Sequence, residues 1–223
     1  MKKYTYIICV VTLLMFSLGV KAVDLDSAGR EAKYVSTIVA RSQKIVDKLN
    51  LKDSKAATQV RNIIANRYFK VNDICAQRDS LVKKAKAELT GKEKQNVVNS
   101  AEYQSESELY RSHFAFPADL SLYLTDKQIE TVKDAITFNV VKVTYDAEVD
   151  MIPTLKPEEK AQILAWLKEA RELALDAESS NKKHGVFGKY KGRINNYLAK
   201  QGYDLNKERT DWYKRIKAKG GKI

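Results

Sequence analysis

Residues Ser54 to Leu89 read SKAATQVRNIIANRYFKVNDICAQRDSLVKKAKAEL, and this stretch decides the fold class. It holds neither Gly nor Pro. Val60, Ile63, Ile64, Tyr68, Val71, Ile74, Cys75, Leu81, Val82, Ala85 and Leu89 keep a helical period throughout, so one helix face is apolar over its length. At roughly 1.5 Å per residue the helix is on the order of 50 Å long. A stripe of that length needs other helices laid along it, which predicts an all-α bundle. Arg67 and Arg78 fall near the apolar stripe and call for acidic partners, with Asp73 and Asp79 at hand in the same stretch. Thr90-Gly91 stops the helix.

On the N-terminal side, Ser27 to Leu49 carries Val35, Ile38, Val39, Ile45, Val46 and Leu49 at the same spacing, and Asn50 to Asp53 reads as a break. On the C-terminal side the pattern weakens. Val97, Val98, Ala101, Leu109 and Phe116 predict a third helix, frayed around Gln104 to Glu108 and kinked or ended by Pro117. Thr125-Asp126-Lys127-Gln128 is a capping box opening a fourth helix with Ile129, Val132 and Ile136. Residues 137–150 are β-branched and aromatic enough for a strand. The continued stripe of Ile136, Val140 and Val143 favours helix. Pro157 with Glu158 and Glu159 suits a first helical turn. A last helix is capped by Asp204. The expectation is an all-α, single-domain bundle of about six or seven helices over residues 23–219, one long (about 54–89), with a flexible tail at 220–223.

The first 22 residues read as an export signal: Lys2 and Lys3, an apolar run from Ile7 to Val20, and Val20-Lys21-Ala22 as a cleavage site. The run is short for a bilayer span, and no later segment is apolar enough for one. The expected location is the periplasm or beyond the cell. Cleavage leaves Cys75 as the one thiol, so an internal disulfide is excluded and core packing supplies stability. Its neighbours Val71, Ile74 and Leu81 mark it as a buried small hydrophobe.

The formal charge is +12, and loss of Lys2, Lys3 and Lys21 makes it +9. Residues 182–223 hold 13 Lys and Arg against 3 Asp and Glu. Positive charge is therefore a property of the C-terminal fifth. In an exported protein that points to an acidic glycan or an acidic protein partner rather than to nucleic acid.

Within that fifth, His184 to Tyr197 reads HGVFGKYKGRINNY. As a helix it places Phe187, Tyr190, Ile194, Tyr197 and Leu198 on one face. Lys189, Arg193, Asn196 and Lys200 form a separate stripe. Gly188 and Gly192 share a side, and each costs a helix about 1 kcal/mol relative to Ala. Close approach of another backbone or of a ligand would offset that cost. Two readings stand: close helix packing beside a solvated stripe, or an anion-binding face made of His184, Lys189, Tyr190, Arg193, Asn196 and Lys200.

Chemistry elsewhere is sparse. The two histidines, His113 and His184, with one cysteine make a poor zinc set. Asp146, Glu148 and Asp150 alternate, but Met151 stands where a calcium loop needs its Gly. No phosphate loop or serine-nucleophile motif is present. No metal or cofactor is expected.

Two resemblances add to this. Leu124-Thr125-Asp126-Lys127-Gln128 is similar to the LTxxQ signature of small periplasmic helical chaperones. Residues from about Val35 to Arg215 resemble a domain of unknown function from exported proteins of Gram-negative gut bacteria that live on plant polysaccharides. The residues that carry it are Arg78-Asp79, Val143-Thr144-Tyr145, Asp150-Met151-Ile152-Pro153, Glu169-Ala170-Arg171-Glu172, Ser179-Ser180, His184 and Phe187 to Leu198. The resemblance implies export and a polysaccharide setting, and no activity. The expected function is an accessory or binding protein for acidic polysaccharide. An enzyme on acidic oligosaccharides and a chaperone-like protein are the alternatives.

Overall fold

The structure is a computed structural model and describes residues 22–221; the leader, except Ala22, and the last two residues of the tail lie outside the described residues. Eight α-helices follow in order: α1 (Ala32–Val46), α2 (Ser54–Glu88), α3 (Gly91–Ser121), α4 (Asp126–Ile136), α5 (Val140–Met151), α6 (Pro157–Leu175), α7 (Ser180–Lys200) and α8 (Leu205–Ala218). A 3-10 turn, Asp47–Leu49, extends α1, and no strand occurs among the described residues. The all-α expectation holds, with slightly more helices than six or seven.

The extra helix comes from a break at residues 137–139. Phe138 and Asn139 both have positive φ, 60° and 56°. Asn tolerates that region because its short polar side chain bonds locally. The Asn139 amide donates back to the Asp134 carbonyl at 2.7 Å. The buried Thr137 hydroxyl bonds the Lys133 carbonyl at 2.9 Å, so the turn is satisfied without a continuing helix. Residues 140–150 are accordingly helix, set off from α4. The third helix differs in the other direction. It neither frays near Gln104 nor ends at Pro117, but runs on to Ser121. Its cost is the hydrogen bond that Pro117, lacking an N–H, cannot give to the preceding turn.

α2 and α3 form a long antiparallel hairpin that α1 and α4 cover, while α6, α7, α5 and α8 pack together. Two main cores result. Ile45, Val60, Ile64, Phe116, Leu120, Val132 and Ile136 belong to the first. Ile152, Ile163, Leu167, Phe187, Ile194 and Leu198 belong to the second. α6 serves both, since Leu175 joins the first and Ile163 to Ala174 join the second. Arg171, 4% exposed, ties α6 to α4 through Glu130 and Asp134, with a 2.8 Å bond to Asp134. Burial alone would lower its pKa, but these carboxylates outweigh burial and raise it.

The capping chemistry is as read. Thr125 and Gln128 form the capping box of α4, and Pro157 opens α6. Glu159 in that first turn is buried and accepts from the Lys156 amide at 2.8 Å and the Tyr203 hydroxyl at 2.6 Å. Its burial opposes ionisation, but the Tyr203 bond, the Lys156 amide and the Lys156 charge together outweigh it and the pKa falls. Arg67 departs from expectation. It reaches across the bundle to Asp176 and Ser112, while Asp73 is bonded by Arg30. Arg78 does pair with Asp79, and also with Glu178.

Candidate functional site

Beside the first core, between α1, the end of α4 and the start of α7, a cleft of about 500 Å³ opens. Arg41, Lys44, Ile45 and Lys48 form one wall, from α1 and the turn after it. Tyr68 of α2 and the end of α4 with Phe138 form the next. Glu178, Ser179, Ser180 and Lys183 close it from the start of α7. The size falls within the range of small-ligand sites.

The local sequence explains why cations gather here. Arg41, Lys44 and Lys48 are spaced by three and four residues, so they share one side of α1 and the 3-10 turn that extends it, beside the buried Ile38 and Ile45. All three are exposed, and none has an ion-pair partner among the described residues. The Arg41 guanidinium lies 5.5 Å from the centre of the Tyr68 ring. Ser179 caps α7 by accepting from the Lys182 amide at 3.2 Å, which sets the first turn of a 21-residue helix against the cleft. Four cations thus line the cleft against one acid, Glu178. That acid is already bridged by Lys182 and Arg78.

Lys183 is the cation that matters most. It is 5% exposed, yet it lines both this cleft and a smaller pocket beneath it that reaches Arg67. Its Nζ donates to the Ala174 carbonyl at 2.9 Å, near the end of α6. No carboxylate lies within ion-pair distance of it among the described residues. Burial, then the charge of Arg67, pushes its pKa down to about 8. A buried ammonium with one backbone acceptor has capacity left for an anion.

The residues singled out from the sequence divide into two places. His184 stands at the rim of the cleft, its ring stacked on Phe138 at 5.3 Å and 12°. Lys189, Arg193, Asn196 and Lys200 are exposed farther along α7 and stay within about 60° of one another, while His184 is roughly 140° round from Lys189. The stripe is therefore real as a surface, and His184 is not part of it. Arg193 is engaged within the protein. It lies 4.5 Å from the Trp166 ring centre and 3.4 Å from Glu169. Tyr190 is half-buried beside it, its pKa raised by burial and then by Glu169. The apolar face is as expected: Phe187, Ile194 and Leu198 are buried, and Tyr197 packs edge-on against Trp166. The glycines are not explained by packing, because a Cβ added at Gly185, Gly188 or Gly192 would meet nothing within 4 Å.

Sequence reasoning did not single out Arg41, Lys44, Lys48, Tyr68 or Lys183. A cation triple at helical spacing, Arg41, Lys44 and Lys48, was available as a signal. The burial of Lys183 was not, since it sits in a run of basic residues and depends on where α6 ends.

This architecture defines an all-helical protein with a cation-lined cleft between α1, the end of α4 and the start of α7. Residues 35–218 match the family described as protein of unknown function (DUF3826), and the chain belongs to that family. No curated protein matches it. No helix among the described residues is long and apolar enough to cross a membrane.

Proposed function

We propose that the chain is an exported helical binding protein for an acidic saccharide, and that the cleft between α1, α4 and the start of α7 receives the anionic group. The observation that carries this is Lys183: a buried cation without a carboxylate partner, in a cleft where cations outnumber acids four to one. Carboxylates are met by arginine forks and lysine point charges. Tyr68 and Phe138 bring aromatic rings to the same opening, with His184 stacked on Phe138, which suits a sugar better than a bare inorganic anion. The resemblance to exported proteins of polysaccharide-degrading bacteria supports the location and the ligand class. The outer stripe of Lys189, Asn196 and Lys200 is a weaker candidate, because its arginine is already paired.

The test is affinity electrophoresis and calorimetry with oligogalacturonides, using neutral oligosaccharides as controls. Binding should weaken as salt rises and fall at least about tenfold in Lys183→Met and in Arg41→Ala, a loss of roughly 1.4 kcal/mol or more. Lys189→Ala with Arg193→Ala should leave it nearly unchanged. Absent or salt-insensitive binding overturns the reading. A chaperone-like role would show instead as suppressed aggregation of an unfolded client. The exposed Tyr103, Tyr110 and Phe114 of α3 are the surface that reading would use.

A further inference from the structure

The geometry points to a covalent function for the cleft: Lys183 is placed to form a reversible imine with an aldehyde or ketone that also carries a carboxylate. This rests on the anion-binding reading above and extends it from binding to reaction chemistry.

Three features on different elements combine. Lys183 lines the cleft but is almost wholly buried, so its amine is desolvated. Its one hydrogen-bond partner is a carbonyl, Ala174 at 2.9 Å. A neutral amine can donate to that carbonyl and still present its lone pair elsewhere, whereas a carboxylate partner would hold it as an ammonium. Arg41, Lys44 and Lys48 line the same cleft from α1 and the turn after it, where they would take a carboxylate and hold the rest of the molecule at the amine. A lysine becomes a nucleophile when it is desolvated or set beside another cation, and Lys183 has both conditions. The groups around it come from each packed element: Arg41 on α1, Arg67 on α2, and Asp176 and Glu178 between α6 and α7. The two arginines favour the neutral amine and the two acids oppose them. Burial is the largest influence and adds to the arginines, so the pKa falls to about 8 and about half of the amine is unprotonated near pH 8.

The step balances without a further reagent. The neutral amine adds to the carbonyl carbon, and the carbonyl π pair becomes an alkoxide that takes a proton. The resulting carbinolamine loses water as the nitrogen lone pair closes the C=N bond. From ammonium and carbonyl, the products are a protonated imine and one water. Acidic sugars in their open-chain form carry both groups this requires, a carboxylate and a terminal aldehyde.

Reductive trapping tests it. The purified protein is incubated with glyoxylate and cyanoborohydride near pH 7.5, and the adducts are mapped by peptide mass spectrometry. Propanal serves as the aldehyde that lacks a carboxylate. The expected result is a Lys183 adduct forming at least about tenfold faster than at exposed lysines, because a larger fraction of its amine is neutral. That preference should hold for glyoxylate, shrink for propanal, and shrink for glyoxylate in Arg41→Ala. Lys183→Arg should remove the fast adduct. Labelling spread over exposed lysines with Lys183 unmodified overturns the inference. If oligogalacturonides still bind in a Lys183-dependent way, the binding reading survives that failure. If they do not, both fall.

Discussion

Lys183 carries a cost that its position alone creates. Its pKa falls from the ordinary lysine value of 10.5 to about 8 in the folded chain. Between those values the unfolded chain keeps a proton that the folded chain has shed, so stability rises with pH across that window. Below pH 8 the whole penalty is present, on the order of 3 kcal/mol at 1.36 kcal/mol per unit. Lys183→Met removes the charge but also the charge-assisted bond to the Ala174 carbonyl, which is left with the Ala177 amide at 3.2 Å, and losing a hydrogen bond to a charged group costs about 1.5–3 kcal/mol. Urea denaturation should therefore show Lys183→Met to be more stable than the parent at pH 7, by about 1 kcal/mol. The advantage should vanish or reverse near pH 10. A residue kept for stability would give the opposite at pH 7: a loss on substitution. A stabilised variant that has lost its ligand would mark Lys183 as a site residue.

At the scale of the element, α7 shows what periodicity can and cannot tell. Phe187, Ile194 and Leu198 could be assigned to the core because their spacing admits one buried face. The long α2 was legible for the same reason. The break at Thr137 to Asn139 was not, because β-branched residues and a continuing stripe fit either a strand or a helix there. What decides it is a pair of positive-φ residues and a back-bonded threonine hydroxyl, neither visible in a hydrophobic pattern. The cleft was hidden for a related reason. His184 was picked out and lies at its rim, but Lys183 beside it looks like one more solvated base until the end of α6 is placed over it. The glycines of α7 remain the element's open cost. With open space at their missing side chains, Gly188→Ala and Gly192→Ala should each raise stability by about 1 kcal/mol in thermal or urea unfolding. A loss of stability would mean that another chain or segment approaches that face.

At the scale of the whole molecule, the uneven charge and the meeting of distant chain segments in one cleft describe the same feature from different sides. The basic C-terminal fifth supplies Lys183 and His184. The first helix and the 3-10 turn after it supply Arg41, Lys44 and Lys48 from the opposite end of the chain. Neither segment is a site alone; packing through α6 brings them to one opening. Hydrogen exchange of the amides, with and without a saturating oligogalacturonide, reads the location of the ligand directly. Slowed exchange at residues 179–184 together with 41–48 is the predicted result. Protection confined to residues 189–200, or to the exposed aromatic face of α3, would contradict the placement of the site in the cleft.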